Sequence, residues 1–186
     1  LPGIDSEIAT LLRTEYAKKG ITFHINAQVQ EVTNQNVIFA TSEGTESIAA
    51  NQILLSVGRQ PYLENLGLES VLLERFHKGV AVNLHMQTSH PHIYAIGDIT
   101  GFSMLAHTAS REAEVAINHL LGIDDEMNYG AVPAVIYTNP EVAGVGATED
   151  ALKAKGNKYQ VAKLPMTFSG RFVAENEGGN GLCKLI

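Results

Sequence analysis

The feature that most constrains the fold is an apolar run that ends in Gly-Asp and is followed by a long helical pattern. Residues 92–96 (His-Ile-Tyr-Ala-Ile) predict a buried strand, which Gly97 and Asp98 close. Periodic apolar residues then predict a helix over about residues 105–121, and its small side chains allow close packing on a sheet. Strands that alternate with helices are typical of α/β proteins, so this order predicts an α/β fold.

The first part of the chain adds further helix and strand signals. Asp5 or Ser6 can cap a first helix, and Gly20 ends it. The near-continuous apolar run at residues 53–57 is typical of a strand that is covered on both faces. Further strands are predicted at residues 21–25, at residues 29–41 as a meander that turns at 34–36, and at residues 80–83.

From Val132 onward the pattern changes to short strands with one short helix among them. Thr148 can cap this helix, because Glu149 and Asp150 follow in its first turn. The predicted strands are residues 132–137, 142–145, 159–166 and the run from 182 onward. This change predicts a separate α+β domain that begins after a linker at residues 124–130.

Charge and composition exclude two classes of partner. The formal net charge is -7 and no basic cluster is present, which argues against nucleic acid. No apolar run approaches the roughly 20 residues that a membrane span requires. The sequence starts without Met and without a signal peptide, and it ends inside an apolar run. We therefore expect a chain that was processed or cut from a longer one.

Cysteine usage restricts the redox chemistry. The sequence has one cysteine, Cys183, and one cysteine cannot provide a paired thiol centre. Free cysteines are among the most frequently buried residues. We therefore expect Cys183 to be a buried thiol in the last strand.

Asp98 is the first candidate for ligand binding. Ligands of open α/β sheets bind beyond the carboxyl ends of the strands, where Gly97 lets the backbone approach closely. A carboxylate can accept hydrogen bonds from sugar-like hydroxyls, and the N-terminus of the next helix favours an electron-rich group. A capping Asp in a strand-to-helix turn explains the same residues equally well, and from the residues alone both interpretations stay open.

Residues 88–98 (Thr-Ser-His-Pro-His-Ile-Tyr-Ala-Ile-Gly-Asp) resemble the second flavin-binding motif of the pyridine nucleotide-disulfide oxidoreductases. The resemblance implies that Asp98 holds the ribityl chain of FAD and that the start of the next helix faces the flavin ring. The helix start is similar to the form seen in the dihydrolipoamide dehydrogenase branch; its residues are Met104, Leu105, Ala106 and His107. For His107 we favour a side chain near the flavin edge over a proton carrier.

Three other segments agree with this resemblance. Residues 57–61 are similar to the end of the family's nicotinamide-binding domain, which implies that Gly58 lies against a cofactor. Val29 matches a position that contacts the adenosine half of NAD, and residues 133–146 resemble the opening of the dimerisation domain. The implied division is residues 1–60 for the second half of the NAD-binding domain, 61–128 for an FAD-binding segment and 129–186 for the first part of the dimerisation domain.

The resemblance implies FAD and NAD as cofactors and a homodimer as the assembly. It also implies a lipoyl-bearing component of a 2-oxoacid dehydrogenase complex as partner, in the cytoplasm or, in a eukaryote, the mitochondrial matrix. No catalytic residue can be placed, because the redox cysteine pair and the His-Glu acid/base pair of the family are not among these residues. We expect the isolated chain to be inactive. The alternatives are another family member, such as a mercuric or glutathione reductase, and a module that dimerises without a cofactor.

Overall fold

The computed structural model describes residue 1, residues 3–176 and residues 178–186. These residues form two compact units. The central unit is the continuous stretch 58–147, and the terminal unit combines residues 1–57 with residues 148–186. In the described part of the chain, no helix is both long enough and apolar enough to cross a membrane.

Both units combine helices with small sheets, which confirms the predicted class of mixed helix and sheet. The helices are α1 (Ser6–Lys18), α2 (Ala106–Leu120), α3 (Glu149–Ala154) and α4 (Gly170–Glu175). The strands are β1 (Gln28–Val32), β2 (Asn36–Thr41), β3 (Gly44–Ala49), β4 (Arg75–Phe76), β5 (Gly79–Val80), β6 (Ala134–Ile136), β7 (Val142–Gly144), β8 (Ala162–Pro165) and β9 (Leu182–Leu185). Every strand pair among the described residues is antiparallel.

The terminal unit contains the three-stranded sheet β1-β2-β3 and the pair β8-β9. Asp5 caps α1, as predicted, through a 3.1 Å hydrogen bond from the Glu7 backbone N–H. Thr148 caps α3 in the same way, with the Ala151 N–H as donor. The starts of these helices are also linked to each other, because the Asp150 carboxylate accepts from the Ser6 N–H at 2.9 Å.

The central unit is built around two clusters of apolar side chains. The first contains Met86, Val115, Ala116 and Met127, and the second contains Leu73, Val80 and Ala95. Helix α2 contributes to the first cluster, and β5 contributes to the second. Beside them, the chain makes a 3₁₀ turn over Gly97–Thr100, and Thr100 is fully buried there. This turn is the structural element that carries Asp98.

The helices and the meander are confirmed, and the strands predicted from Val132 onward are present with shorter bounds as β6, β7, β8 and β9. Four other predicted strands are absent or reduced further. Residues 21–25 and 53–57 form no strand, and Leu54 in the second run is 91% exposed instead of buried. Residues 92–96 contribute only an isolated bridge between Gln87 and Tyr94, and the strand predicted at 80–83 shortens to β5. An apolar run becomes a strand only where another strand pairs with its backbone, and no described residue pairs with 21–25 or 53–57 in this way.

The expected burial of Cys183 is also wrong, because its side chain is exposed. In β9, residues alternate between the two faces, and the inward face carries Leu182 and Lys184. Neighbouring strand residues point in opposite directions, so the burial of Lys184 places Cys183 on the outer face.

Candidate cofactor site

Asp98 presents an accessible carboxylate at the start of the 3₁₀ turn. The turn begins at Gly97, whose φ of 74° lies in the left-handed region that glycine tolerates best. The Asp98 side chain is 48% exposed, and its Oδ2 lies 3.3 Å from Nη2 of Arg59, which is 77% exposed. Exposed pairs of this kind contribute only about 0–1 kcal/mol, so the carboxylate remains available to other hydrogen-bond donors.

The backbone of Gly97, the residue before Asp98, is held by buried side chains of the central unit. The Gly97 N–H donates to Oε2 of Glu112, and the Gly97 carbonyl accepts from Oγ1 of Thr100 at 2.9 Å. Both Glu112 and Thr100 have no exposed surface. Glu112 also accepts, through Oε1, from the Tyr129 hydroxyl at 2.7 Å. Burial and the adjacent Glu112 raise the pKa of the Tyr129 phenol above its usual range, so this hydroxyl stays protonated as a donor.

The start of α2 leaves its first backbone N–H groups without a side-chain cap. Leu105 occupies the N-cap position, and an apolar side chain cannot accept from the first turn. Nε2 of His107 pairs with the Pro133 carbonyl oxygen at 2.8 Å, so it donates there and is engaged by the protein. The side chains of Met104 and Leu105 are half-buried. An uncapped helix start is suited to an electron-rich group.

The donor and acceptor set of this region fits a flavin cofactor. A ribityl chain needs hydrogen-bond acceptors for its hydroxyls, and Asp98 provides them. A flavin ring needs donors at an electron-rich edge, and the start of α2 provides backbone N–H groups. Asp98 and the start of α2 are separated by only a few residues of the central unit. The Asp98 carboxylate is exposed, and the helix start has no side-chain cap.

The other two predicted contact residues lie in different parts of the structure. Gly58, with φ of 112°, is the first residue of the central unit and is adjacent to Arg59, which contacts Asp98. Val29 lies in β1 of the terminal unit, opposite Phe39, with 56% of its surface exposed. The structure therefore brings Gly58 into the region of Asp98 through its neighbour, while Val29 belongs to the other unit. Their cofactor contacts stay predictions.

Sequence reasoning missed the buried support of this region, which consists of Glu112, Tyr129 and Thr100. A signal for Glu112 was present. It lies four residues after Thr108 and three before Val115, and this spacing places all three on the buried face of α2. A carboxylate at such a position needs hydrogen-bond donors from elsewhere in the fold. No sequence signal singles out Tyr129 as that donor.

The terminal unit contains a second buried ionisable group, Lys184. Its side chain is 4% exposed, and its Nζ lies within 3.0 Å of three carboxylates. These belong to Asp5 (2.9 Å), Glu7 (3.0 Å) and Glu149 (2.6 Å). Burial alone lowers the pKa of Lys184, but hydrogen bonds to these carboxylates outweigh it and raise that pKa above its usual range. Lys184 therefore stays charged and joins the starts of α1 and α3 to β9.

The carboxylates of this cluster are correspondingly acidic. Hydrogen bonds from Lys153, Lys184 and Tyr159 lower the pKa of Glu149 to about 2. Burial acts to raise the pKa of Asp5, but hydrogen bonds from Lys184 and from two backbone N–H groups lower it overall. Among the described residues, no group of three His, Cys, Asp or Glu side chains could hold a metal ion.

Two family models match the chain. The model described as "Pyridine nucleotide-disulphide oxidoreductase" matches residues 1–113, and the model described as "Pyridine nucleotide-disulphide oxidoreductase, dimerisation domain" matches residues 132–186. Together they cover the central turn, the start of α2 and the last strands.

Curated relatives and solved structures give the same result. The chain is 40% identical to "Dihydrolipoyl dehydrogenase 3" of Pseudomonas putida, over 100% of this chain and 41% of that protein. It is 37% identical to mitochondrial dihydrolipoyl dehydrogenase of Bos taurus, over 99% of this chain and 38% of that protein. LpdA from Mycobacterium tuberculosis superposes with a TM-score of 0.83 at 27% identity, over 99% of this chain and 40% of that one. The flavoprotein disulfide reductase RclA from Escherichia coli gives 0.79 at 25% identity, over 99% of this chain and 43% of that one. The chain thus spans about 40% of the length of the relatives it matches.

Proposed function

The chain belongs to the pyridine nucleotide-disulphide oxidoreductase family, and on that premise we propose that it is the FAD-contacting part of a dihydrolipoamide dehydrogenase. The proposed reaction oxidises the dithiol of dihydrolipoamide to the disulfide and reduces NAD⁺ to NADH, with release of one proton. When bound, FAD supplies the two-electron relay between the dithiol and NAD⁺. The observation that carries the proposal is the exposed Asp98 carboxylate ahead of an uncapped helix start.

Within this proposal each part of the central unit has a defined role. Asp98 would accept hydrogen bonds from the ribityl hydroxyls, since its carboxylate is exposed and makes only a 3.3 Å surface contact with Arg59. The backbone N–H groups at residues 104–107, where α2 starts without a side-chain cap, would stabilise negative charge at the electron-rich edge of a bound flavin ring. The engagement of His107 with the Pro133 carbonyl supports a positioning role for its ring over a proton-transfer role.

The proposal extends to organisation and partners. We assign residues 1–60 to NAD binding, with Gly58 and Val29 as cofactor contacts, residues 61–128 to FAD binding and residues 129–186 to dimerisation. The match of the dimerisation model to residues 132–186 supports a homodimer. The names of the relatives support a lipoyl-bearing component of a 2-oxoacid dehydrogenase complex as partner, in the cytoplasm or the mitochondrial matrix.

The test uses the gene product that contains this sequence. We expect it to purify with visible flavin absorption and to reduce NAD⁺ with dihydrolipoamide as donor. Asp98→Ala should lower the ratio of flavin to protein several-fold, because the ribityl hydroxyls lose their acceptor. Asp124→Ala is the matched control, since Asp124 is an exposed carboxylate of the same unit.

Three outcomes would count against parts of this proposal. Unchanged flavin content in Asp98→Ala would remove the assignment of Asp98. Reduction of glutathione disulfide or of Hg(II) in place of dihydrolipoamide oxidation would favour one of the other reductases. A colourless gene product that dimerises would favour a module without a cofactor. The 186-residue chain alone has one cysteine, so we expect no cysteine-dependent turnover from it.

A further inference from the structure

Glu112 is a buried carboxylate that is held without a cation. It has no exposed surface, and its hydrogen bonds come from the Gly97 N–H and the Tyr129 hydroxyl. Among the described residues, no Lys, Arg or His forms an ion pair with it, and the neighbouring Arg111 pairs with Asp125 and Glu114. Removing a carboxylate from water costs several kcal/mol, and hydrophobic residues of similar volume are often at least as stabilising at such positions.

The geometry shows what the Glu112 carboxylate fixes. The Gly97 N–H is taken by Glu112 and the Gly97 carbonyl by the buried Thr100 hydroxyl, so both polar groups of this residue are bound to buried side chains. A Cβ added to Gly97 would lie 3.3 Å from the Cβ of Ala109, which places this backbone directly against α2. Ala109 and Glu112 are three residues apart and share one face of the helix. The residue that follows this fixed peptide is Asp98.

Tyr129 completes the arrangement from the other side. Its hydroxyl donates to Oε1 of Glu112, and its backbone begins the 3₁₀ turn Tyr129–Ala131. Because its phenol stays protonated, Tyr129 acts as a constant donor, and the Oε2 of Glu112 remains directed at Gly97. One carboxylate thus couples the backbone N–H of Gly97, the residue before Asp98, to α2 and to the chain segment around Tyr129.

We propose that Glu112 is a positioning residue for the cofactor site: by binding the Gly97 N–H it sets the direction in which Asp98 presents its carboxylate to the ribityl chain of FAD. This inference rests on the proposed function, because it assumes that Asp98 contacts FAD. A positioning residue acts through a supporting hydrogen bond and makes no contact with the cofactor itself.

The experiment measures FAD binding to the apoprotein of the full gene product by flavin fluorescence. We expect Glu112→Met to raise the dissociation constant for FAD about tenfold, the equivalent of one lost charge-assisted hydrogen bond. Glu112→Gln should stay within about threefold of the wild type, because its amide oxygen can accept from Gly97 while its amide nitrogen donates to the Tyr129 oxygen. Glu112→Asp keeps a carboxylate, but its shorter side chain cannot reach the Gly97 N–H. We therefore expect it to weaken FAD binding as Glu112→Met does.

The deciding comparison is made in the Asp98→Ala background. If Glu112 acts through Asp98, the tenfold effect of Glu112→Met should disappear there, because the group it positions is absent. An equal loss of affinity in both backgrounds would overturn the inference and leave the proposed function intact. No effect of Asp98→Ala on FAD binding would overturn the proposed contact itself, and with it this inference.

Glu112→Asp carries the same comparison if Glu112→Met does not fold. Apoprotein melting temperatures separate positioning from general damage. We expect Glu112→Asp and Glu112→Gln to melt within a few degrees of each other while their FAD affinities differ severalfold. Equal FAD affinity of these two variants would contradict the inference.

Discussion

In the central unit the buried ionisable group is a carboxylate held by neutral donors, whereas in the terminal unit it is an ammonium held by three carboxylates. Glu112 receives a backbone N–H and a phenol hydroxyl. The Lys184 ammonium pairs with the carboxylates of Asp5, Glu7 and Glu149. The first arrangement depends on hydrogen-bond geometry, and the second depends on charge. The two units should therefore respond differently to the loss of a partner, to pH and to salt.

The largest effect is expected from Lys184→Met, which keeps much of the side-chain volume but leaves three carboxylates without their shared cation. Removing one partner of a buried ion pair costs about 3 kcal/mol of unfolding free energy. Lys163→Met is the control, because Lys163 also pairs with Glu7 but is 46% exposed. Urea unfolding followed by circular dichroism measures both. A loss no greater than in the Lys163 variant would show that burial of the ammonium is unimportant.

The next effect concerns the hydrogen bonds of the central unit. Glu112→Met leaves the buried Gly97 N–H without its side-chain acceptor and leaves the Tyr129 hydroxyl with only the weak acceptor Met86 Sδ, at 3.7 Å. We expect this change to cost about 2 kcal/mol of unfolding free energy. Adding Tyr129→Phe removes the hydroxyl that has lost its strong acceptor, and it should restore about 1 kcal/mol. Glu114→Met, on the exposed face of the same helix, should have little effect. If the double variant were less stable than Glu112→Met alone, the Tyr129 hydroxyl would stabilise the fold mainly through contacts other than Glu112.

A smaller effect is expected from acid on the terminal unit. The folded-state pKa of Glu149 is about 2, below its ordinary value of 4.5. Its ionised form therefore stabilises the fold above pH 4.5, and this stabilisation is lost as the pH falls from 4.5 towards 2. The melting temperature of Glu149→Gln should decline less steeply over this range than that of the wild type. Glu31→Gln, an exposed change in the same unit, should follow the wild-type slope.

The smallest effect is expected at Arg59, which sharpens the contrast between buried and exposed charge. Arg59→Met breaks the 3.3 Å contact with Asp98, but both side chains are largely in water. We expect a change in unfolding free energy below about 0.5 kcal/mol. The same urea titration measures this variant. A loss of unfolding free energy comparable to that of Glu112→Met would mean that Arg59, and not the buried Glu112, stabilises the 3₁₀ turn.

Local signals predicted the helices well because their causes are local. Asp5 and Thr148 cap the helices that follow them, and the periodic pattern of α2 gave its bounds to within one residue. Strands depend on a partner that the segment itself does not contain. The apolar run at residues 53–57 is therefore extended and exposed, although its composition suited a buried strand.

The candidate site shows the same division. Asp98 and the start of α2 lie close together in the sequence, so their proximity could be predicted. The contacts of Glu112 with Gly97 and Tyr129 bridge 15 and 17 residues, and only the packing of α2 brings these groups together. Cys183 and Lys184 are a sharper case. Typical burial preferences favour the thiol, but three distant carboxylates place Lys184 inside.

Which segments of the chain form each unit also determines the order in which the two units can fold. All of residues 58–147 are consecutive, so the central unit has its full set of contacts once residue 147 has been synthesised. The terminal unit is closed by bonds between residues that are 144 and 179 positions apart, and it must wait for Lys184. During synthesis from the N-terminus, α1 emerges before the central unit but acquires its contacts after it, with its acidic start exposed until β9 arrives. Early folding of the central unit shortens the loop that remains to be closed, which lowers the entropic cost of joining the two ends.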